Sequence, residues 1–125
     1  MTFIQEIATR LQTASIGTLG TDLFYSYMPD SANAGVSVHD TGGMPPDIYI
    51  PTKSPTFQVF IRAATYDAGK AKLDAVRASL HNLYNVTLSG GTYVYSINAL
   101  AEGGHIGRNE RGLDEFSINF KALTR

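Results

Sequence analysis

Apolar and polar positions along this chain alternate between two periods. Ile4, Ile7, Leu11 and Ala14 recur at helical spacing, with Phe3 and Ala8 beside them, and predict a helix over about residues 2–14. Thr2 stands where an N-cap belongs, and Gln5, three residues on, fits the capping-box position. Glu6 and Arg10 are spaced for an i,i+4 ion pair on the polar side. Gly17 and Gly20 end the helix and open a turn. Leu23 to Met28, with Phe24, Tyr25 and Tyr27, then predicts an aromatic strand stopped by Pro29. Asp30 to Gly35 has turn composition, and a second strand covers Gly35 to Asp40.

Four of the five prolines fall in residues 41–55. Proline withholds a backbone donor, so this stretch is not expected in mid-sheet, although Ile48-Tyr49-Ile50 within it is apolar enough to dock. Thr56 to Ala64 predicts a strong strand, with Phe57, Val59, Ile61 and Ala63 on one face and Gln58, Phe60 and Arg62 on the other. A second helix is predicted over about residues 67–84, capped by Asp67. Its apolar stripe is Leu73, Val76, Leu80, Leu83 and Tyr84, and Asn85 ends it. Ser89-Gly90-Gly91 makes a turn. Thr92 to Glu102 predicts a strand with Tyr93, Tyr95, Ile97 and Ala99 on one face, followed by a loop over residues 103–107. A polar loop from Gly107 to Glu115 feeds a closing strand, in which Phe116, Ile118, Phe120 and Ala122 alternate with Ser117, Asn119 and Lys121. The order α-β-β-β-α-β-β implies an α+β fold, an antiparallel or mixed sheet with two helices packed against it.

A length of 125 residues fits one domain, residues 1–125, with a core of its own. The chain has no cysteine, which excludes disulfides, thiolate metal sites and cysteine nucleophiles and fits a reducing cytoplasm. The N-terminal stretch has no signal-peptide pattern, and no apolar run approaches membrane-spanning length. A net charge of −1 argues against bulk attraction to nucleic acid or anionic membrane. That charge is unevenly spread. Residues 1–52 hold Arg10 against Glu6, Asp22, Asp30, Asp40 and Asp47, while the remainder holds nine basic residues against six acidic ones. The two parts therefore carry −4 and +3, which permits complementary surfaces on neighbouring copies.

No residue pattern suggests catalysis. His39, His81 and His105 have no metal-ligand spacing, and His39 and Asp40, adjacent in a strand, point to opposite faces. Gly42-Gly43, Gly90-Gly91 and Gly103-Gly104 lead into proline, a strand or a loop, not into the helix start that a phosphate loop needs. Arg108 and Arg111 flank Asn109-Glu110 in an exposed loop. They either pair with Glu110, Asp114 and Glu115 or hold carboxylates of a partner. Tyr25, Tyr27, Tyr49, Tyr93 and Tyr95 offer amphipathic area suited to core or interface.

Three stretches in order carry a resemblance. An opening amphipathic helix is followed by Val38-His39-Asp40-Thr41-Gly42-Gly43-Met44-Pro45-Pro46. Next comes Phe57-Gln58-Val59-Phe60-Ile61-Arg62-Ala63 with a tyrosine and helix behind it. Last comes Gly107-Arg108-Asn109-Glu110-Arg111-Gly112 leading into Phe116-Ser117-Ile118-Asn119-Phe120. Across nearly its whole length the chain resembles the minor-capsid or tail-terminator proteins of long-tailed bacteriophages, also called tail-completion or head–tail joining proteins. The resemblance implies a non-enzymatic virion protein without cofactor or metal, assembled in the host cytoplasm at the head-proximal end of the tail. It implies a homo-oligomeric ring of six that caps the tail tube, stops tube growth and offers a surface to the head connector. Its partners would be other copies, the tube protein and the connector, with no membrane and no sequence-specific nucleic acid, though the ring leaves room for DNA to pass. Contacts are expected at Asp40, Thr41, Gly42, Gly43, Met44, Pro45, Pro46 and Tyr49, and at Arg108, Asn109, Glu110 and Arg111. Exposed strand edges would supply backbone pairing between neighbours. The rival reading is a small ligand- or nucleic-acid-binding α+β domain.

Overall fold

The computed structural model describes residues 2–29, 34–43 and 52–125. Helix α1 spans Phe3–Thr13 and buries Ile4, Ile7, Ala8 and Leu11, the stripe set by its apolar spacing. Its capping box is formed: Thr2 Oγ1 accepts the Gln5 N–H at 3.4 Å, and Gln5 Oε1 accepts the Thr2 N–H at 2.7 Å. Three strands follow: β1 (Leu23–Tyr25), β2 (Gly35–Asp40) and β3 (Thr56–Ala63). Helix α2 covers Tyr66–Leu80, and the chain finishes with β4 (Leu83–Thr87), β5 (Tyr93–Ala99), β6 (Gly104–Arg108) and β7 (Asp114–Thr124). The fold is α+β in the expected order, with two further short strands, β4 and β6.

The sheet runs β1-β2-β3-β7-β5-β4, with β6 beside β7. Among the described strands only β1 and β2 pair in parallel, so the sheet is mixed. β7 organises it. One side of β7 pairs with β3 from Asp114↔Ala63 to Lys121↔Thr56. Its other side is divided, β6 taking Asp114 to Ser117 and β5 taking Phe120 to Thr124. Lys53 extends the β3 side by exchanging hydrogen bonds with Thr124 at 2.8 and 2.9 Å, and Pro55, which has no N–H, still accepts from the Ala122 N–H at 2.9 Å. Burial alternates as the period-two pattern requires: Phe57, Val59 and Ile61 of β3 and Phe116, Ile118, Phe120 and Ala122 of β7 lie inward. Phe57 and Phe120 stack with centroids 5.2 Å apart. Leu73, Val76 and Leu80 of α2 belong to the same core.

The structure corrects several local expectations. Thr65, not Asp67, caps α2, its hydroxyl accepting the Ala68 N–H at 3.2 Å, and Asp67 lies in the first turn. The helix stops at Leu80. Asn82 turns the chain with φ 60°, a conformation asparagine tolerates, so Leu83 and Tyr84 belong to β4. His81 caps the helix end, its Nδ1 accepting the Ala99 N–H at 3.0 Å. β1 ends at Tyr25 because Ser26 adopts φ 63°, three residues before Pro29. A bulge between Val94 and Ser96 shifts the facing of β5, so Val94 and Ile97 are buried while Tyr93 and Tyr95 are not. Residues 104–108, expected as loop, pair with β7 as β6.

Glu6 departs furthest from its surface role. It is 1% exposed. Its Oε2 accepts the N–H groups of Gly90 at 3.0 Å and Thr92 at 3.1 Å, and its Oε1 accepts the Thr92 hydroxyl. The carboxylate thus ties α1 to the β4–β5 turn, and no Glu6–Arg10 ion pair forms.

Candidate assembly surface

The C-terminal hairpin is built around one asparagine. Asn109 Oδ1 accepts the N–H groups of Arg111 and Leu113, each at 3.0 Å, an Asx-type turn that fixes the tip. The Asn109 N–H donates to the Leu113 carbonyl at 2.9 Å, and the Gly112 N–H to the Asn109 carbonyl at 3.0 Å. Gly112 takes φ 77°, which glycine adopts without strain. The tip is therefore a firm projection carrying Arg108, Glu110 and Arg111, all exposed.

Two ion pairs anchor its base. Asp114 is buried on the core side of β7. Its Oδ1 lies 2.9 Å from His105 Nε2 and 3.3 Å from Arg108 Nε, while its Oδ2 meets no donor among the described residues. The His105 ring packs against Tyr66 and Phe116 at 5.2 and 4.9 Å. On the opposite face, Arg62 donates through Nε and a terminal nitrogen to Glu115 Oε2, both at 3.1 Å, and also to the Pro29 carbonyl at 3.0 Å. Both groups are largely shielded from solvent, which strengthens the pair relative to a surface bridge. Of the acids expected to meet the loop arginines, Asp114 engages Arg108, while Glu115 is held by Arg62.

The other expected contact stretch is only partly described. Asp40 is exposed at the end of β2. The Thr41 hydroxyl donates to Thr56 Oγ1 at 2.6 Å, and the Gly43 N–H reaches the same oxygen at 3.0 Å. Gly42 and Gly43 have φ 93° and 75°. Met44, Pro45, Pro46 and Tyr49 lie outside the described residues. Asp40 to Gly43 sit where β3 begins, opposite Lys121, whereas the hairpin tip precedes Asp114. The two stretches are therefore not brought together. Along β7 they are separated by about 23 Å, at about 3.3 Å per residue.

Each free sheet margin is interrupted. The Leu23 N–H and carbonyl on β1 are already bonded to Thr18 and Gly20. β4 is kinked at Asn85, with φ 49°. β6 is bulged between His105 and Gly107. Such devices discourage open-ended strand addition. Among the described residues Tyr27, Tyr84, Ile106 and Leu100 are the most exposed large hydrophobic side chains, each about 60% accessible. Tyr93 and Tyr95 are braced by Arg125, whose guanidinium lies 5.5 and 5.9 Å from their ring centres.

Little in the site points to bond-making chemistry. Among the described residues, no group of three or more histidine or acidic side chains is placed to hold a metal. His39 Nε2 lies 2.7 Å from Ser37 Oγ, and burial pushes the imidazole below its ordinary pKa, opposed by a backbone hydrogen bond to Ser26. No helix among the described residues is long and apolar enough to cross a membrane.

Solved structures share this architecture. A chain described as "Virion of native gene transfer agent (GTA) particle" superposes with a TM-score of 0.72 at 17% identity, over 98% of this chain and 93% of that one. A second solved chain gives a TM-score of 0.54 at 15% identity, over 97% and 96% respectively. At such identities the likeness is one of fold. No curated protein matches. The model of the family described as bacteriophage tail terminator protein matches residues 10–124, nearly the whole of this chain, so the chain belongs to the bacteriophage tail terminator family and is a structural component of a phage-type tail.

Proposed function

We propose that copies of this chain close into a ring on the end of a tail tube, stop its growth and present the outer face to the head connector. The match of residues 10–124 to the tail terminator family carries this reading. Six copies is the count that the family resemblance implies. A ring needs a head-to-tail interface whose rotation closes. The blunted sheet margins favour the firm hairpin tip and the Asp40–Gly43 corner as contact points over strand addition. Placed at different ends of β7, they can serve different neighbours: the tip, with Arg108, Asn109, Glu110 and Arg111, meets one, and the corner, continuing into Met44, Pro45, Pro46 and Tyr49, meets another copy or the tube. The ring acts by position, ending tube growth because its two faces differ, and no bond is made or broken.

Electron microscopy of particles assembled without this protein tests the reading, with overlong or headless tails as the expected result. Normal tail length and normal head attachment in its absence would refute it. The rival nucleic-acid reading predicts oligonucleotide binding that weakens steeply between two salt concentrations, and titration should show none.

A further inference from the structure

A cleft of about 410 Å³ lies between the last turns of α1 and α2 and the β4–β5 turn, its walls including Thr9, Arg10, Thr13, Ser79, Thr87 and Leu88. That volume falls in the range of small binding clefts, about 300–1,000 Å³. Three of its hydroxyls are already committed. Those of Thr9, Thr13 and Ser79 donate to the Gln5, Thr9 and Val76 carbonyls at 2.8, 3.1 and 2.9 Å, so these side chains turn carbon surface toward the cleft. The cleft's one carboxylate, Glu6, is taken up by Gly90 and Thr92. Arg10 remains as a half-buried guanidinium with no hydrogen bond or ion pair among the described residues. An apolar slot with one unmatched cation fits a short turn that carries a carboxylate.

The same chain supplies such a turn. Glu110 sits exposed at the rigid hairpin tip and likewise has no partner among the described residues. The arginines beside it are engaged: Arg108 leans back on Asp114, and Arg111 has contacts of its own. Tip and cleft lie at opposite ends of β7, because the tip precedes Asp114 while the β4–β5 turn adjoins Thr124. Over the 11 residues of β7 the separation is about 33 Å, so one copy cannot fill its own cleft and a neighbour can.

We propose that the β6–β7 tip of one copy seats in the α1–α2 cleft of the next, with Glu110 on Arg10. The inference rests on the ring reading and supplies its head-to-tail contact. Arg10→Glu and Glu110→Arg should each lower ring assembly on tail tubes by about tenfold, and the double exchange should restore it. Thermal melts establish that each variant is folded. Because the chain has no cysteine, Thr13→Cys combined with Arg111→Cys, which leaves Arg10 and Glu110 in place, offers an independent readout if a charge reversal unfolds the protein. Oxidation of assembled rings should then give a ladder of covalent oligomers. Folded single variants that assemble like the wild type, a double exchange that fails to recover, or rings that stay uncrosslinked would each overturn the contact and leave the ring standing. Wild-type protein that never closes rings would end both.

Discussion

Replacing Glu6 tests how the fold holds α1 against the far end of the sheet. Glu6→Ala removes a buried acceptor of three hydrogen bonds, two from backbone N–H groups in the β4–β5 turn. Bonds to a charged acceptor contribute about 1.5–3 kcal/mol each, and an orphaned buried donor costs about 1–3 kcal/mol. Gly90 is at the surface and Thr92 only partly buried, so water can replace part of the loss. The expected net destabilisation is about 2–4 kcal/mol, a fall in Tm of roughly 6–16 °C at about 3–4 °C per kcal/mol for a domain of this size. Glu6→Gln keeps a carbonyl for both N–H groups and an amide donor for the Thr92 hydroxyl, and should cost about 1 kcal/mol. Urea unfolding followed by circular dichroism measures both. Hydrogen exchange at Gly90 and Thr92 should accelerate in the alanine variant. Stability within about 0.5 kcal/mol of wild type, or unchanged exchange at those amides, would show that the carboxylate does not hold the turn.

Three other perturbations probe separate parts of the molecule. Gly69→Ala would place its new carbon 2.1 Å from the Phe116 ring, so despite better helix propensity it should destabilise by about 1–3 kcal/mol, and Phe116→Leu in the same chain should recover part of that in denaturant melts. His39 has its pKa lowered by burial, so the folded state favours the neutral ring. Its contribution is complete above the unfolded pKa of about 6.5 and is lost as pH falls through the lower folded value; His39→Gln should flatten the stability–pH curve below about pH 6.5. Asn109→Ala removes the acceptor for the Arg111 and Leu113 N–H groups, and should speed exchange at those amides and reduce tube capping while the melting temperature stays nearly constant.

What could be read from the residues depended on how local the cause was. β3 and β7 each bury one whole face against the helices, so Phe57 to Ala63 and Phe116 to Ala122 wrote a period of two that nothing else imitates. The α1 stripe and its Thr2–Gln5 box were equally plain. Leu83 misled because it continues the Leu73–Val76–Leu80 spacing in phase. What stops the helix is a left-handed Asn82, a conformation that spacing does not record. The partners of Glu6 are more than eighty residues away, and no local pattern signals them. Tyr95 misled through a bulge that only its pairing with β7 defines. At the candidate surface, the glycines around residues 107–112 marked an exposed turn correctly. The burial of Asp114 was hidden, because an acid heading a strand looks like loop until His105 and Arg108 are seen to converge on it.

The position of β7 also bears on how the subunit would respond to mechanical load. Nearly every turn of the strand is gripped from both sides, by β3 on one and by β6 and β5 on the other. Ladder bonds lie across the strand axis. A pull entering at the hairpin and leaving near Thr124 therefore runs parallel to β7 and loads both ladders in shear. The bonds must then yield together, whereas a pull on β1 or β4, each gripped from one side, would peel them apart in succession.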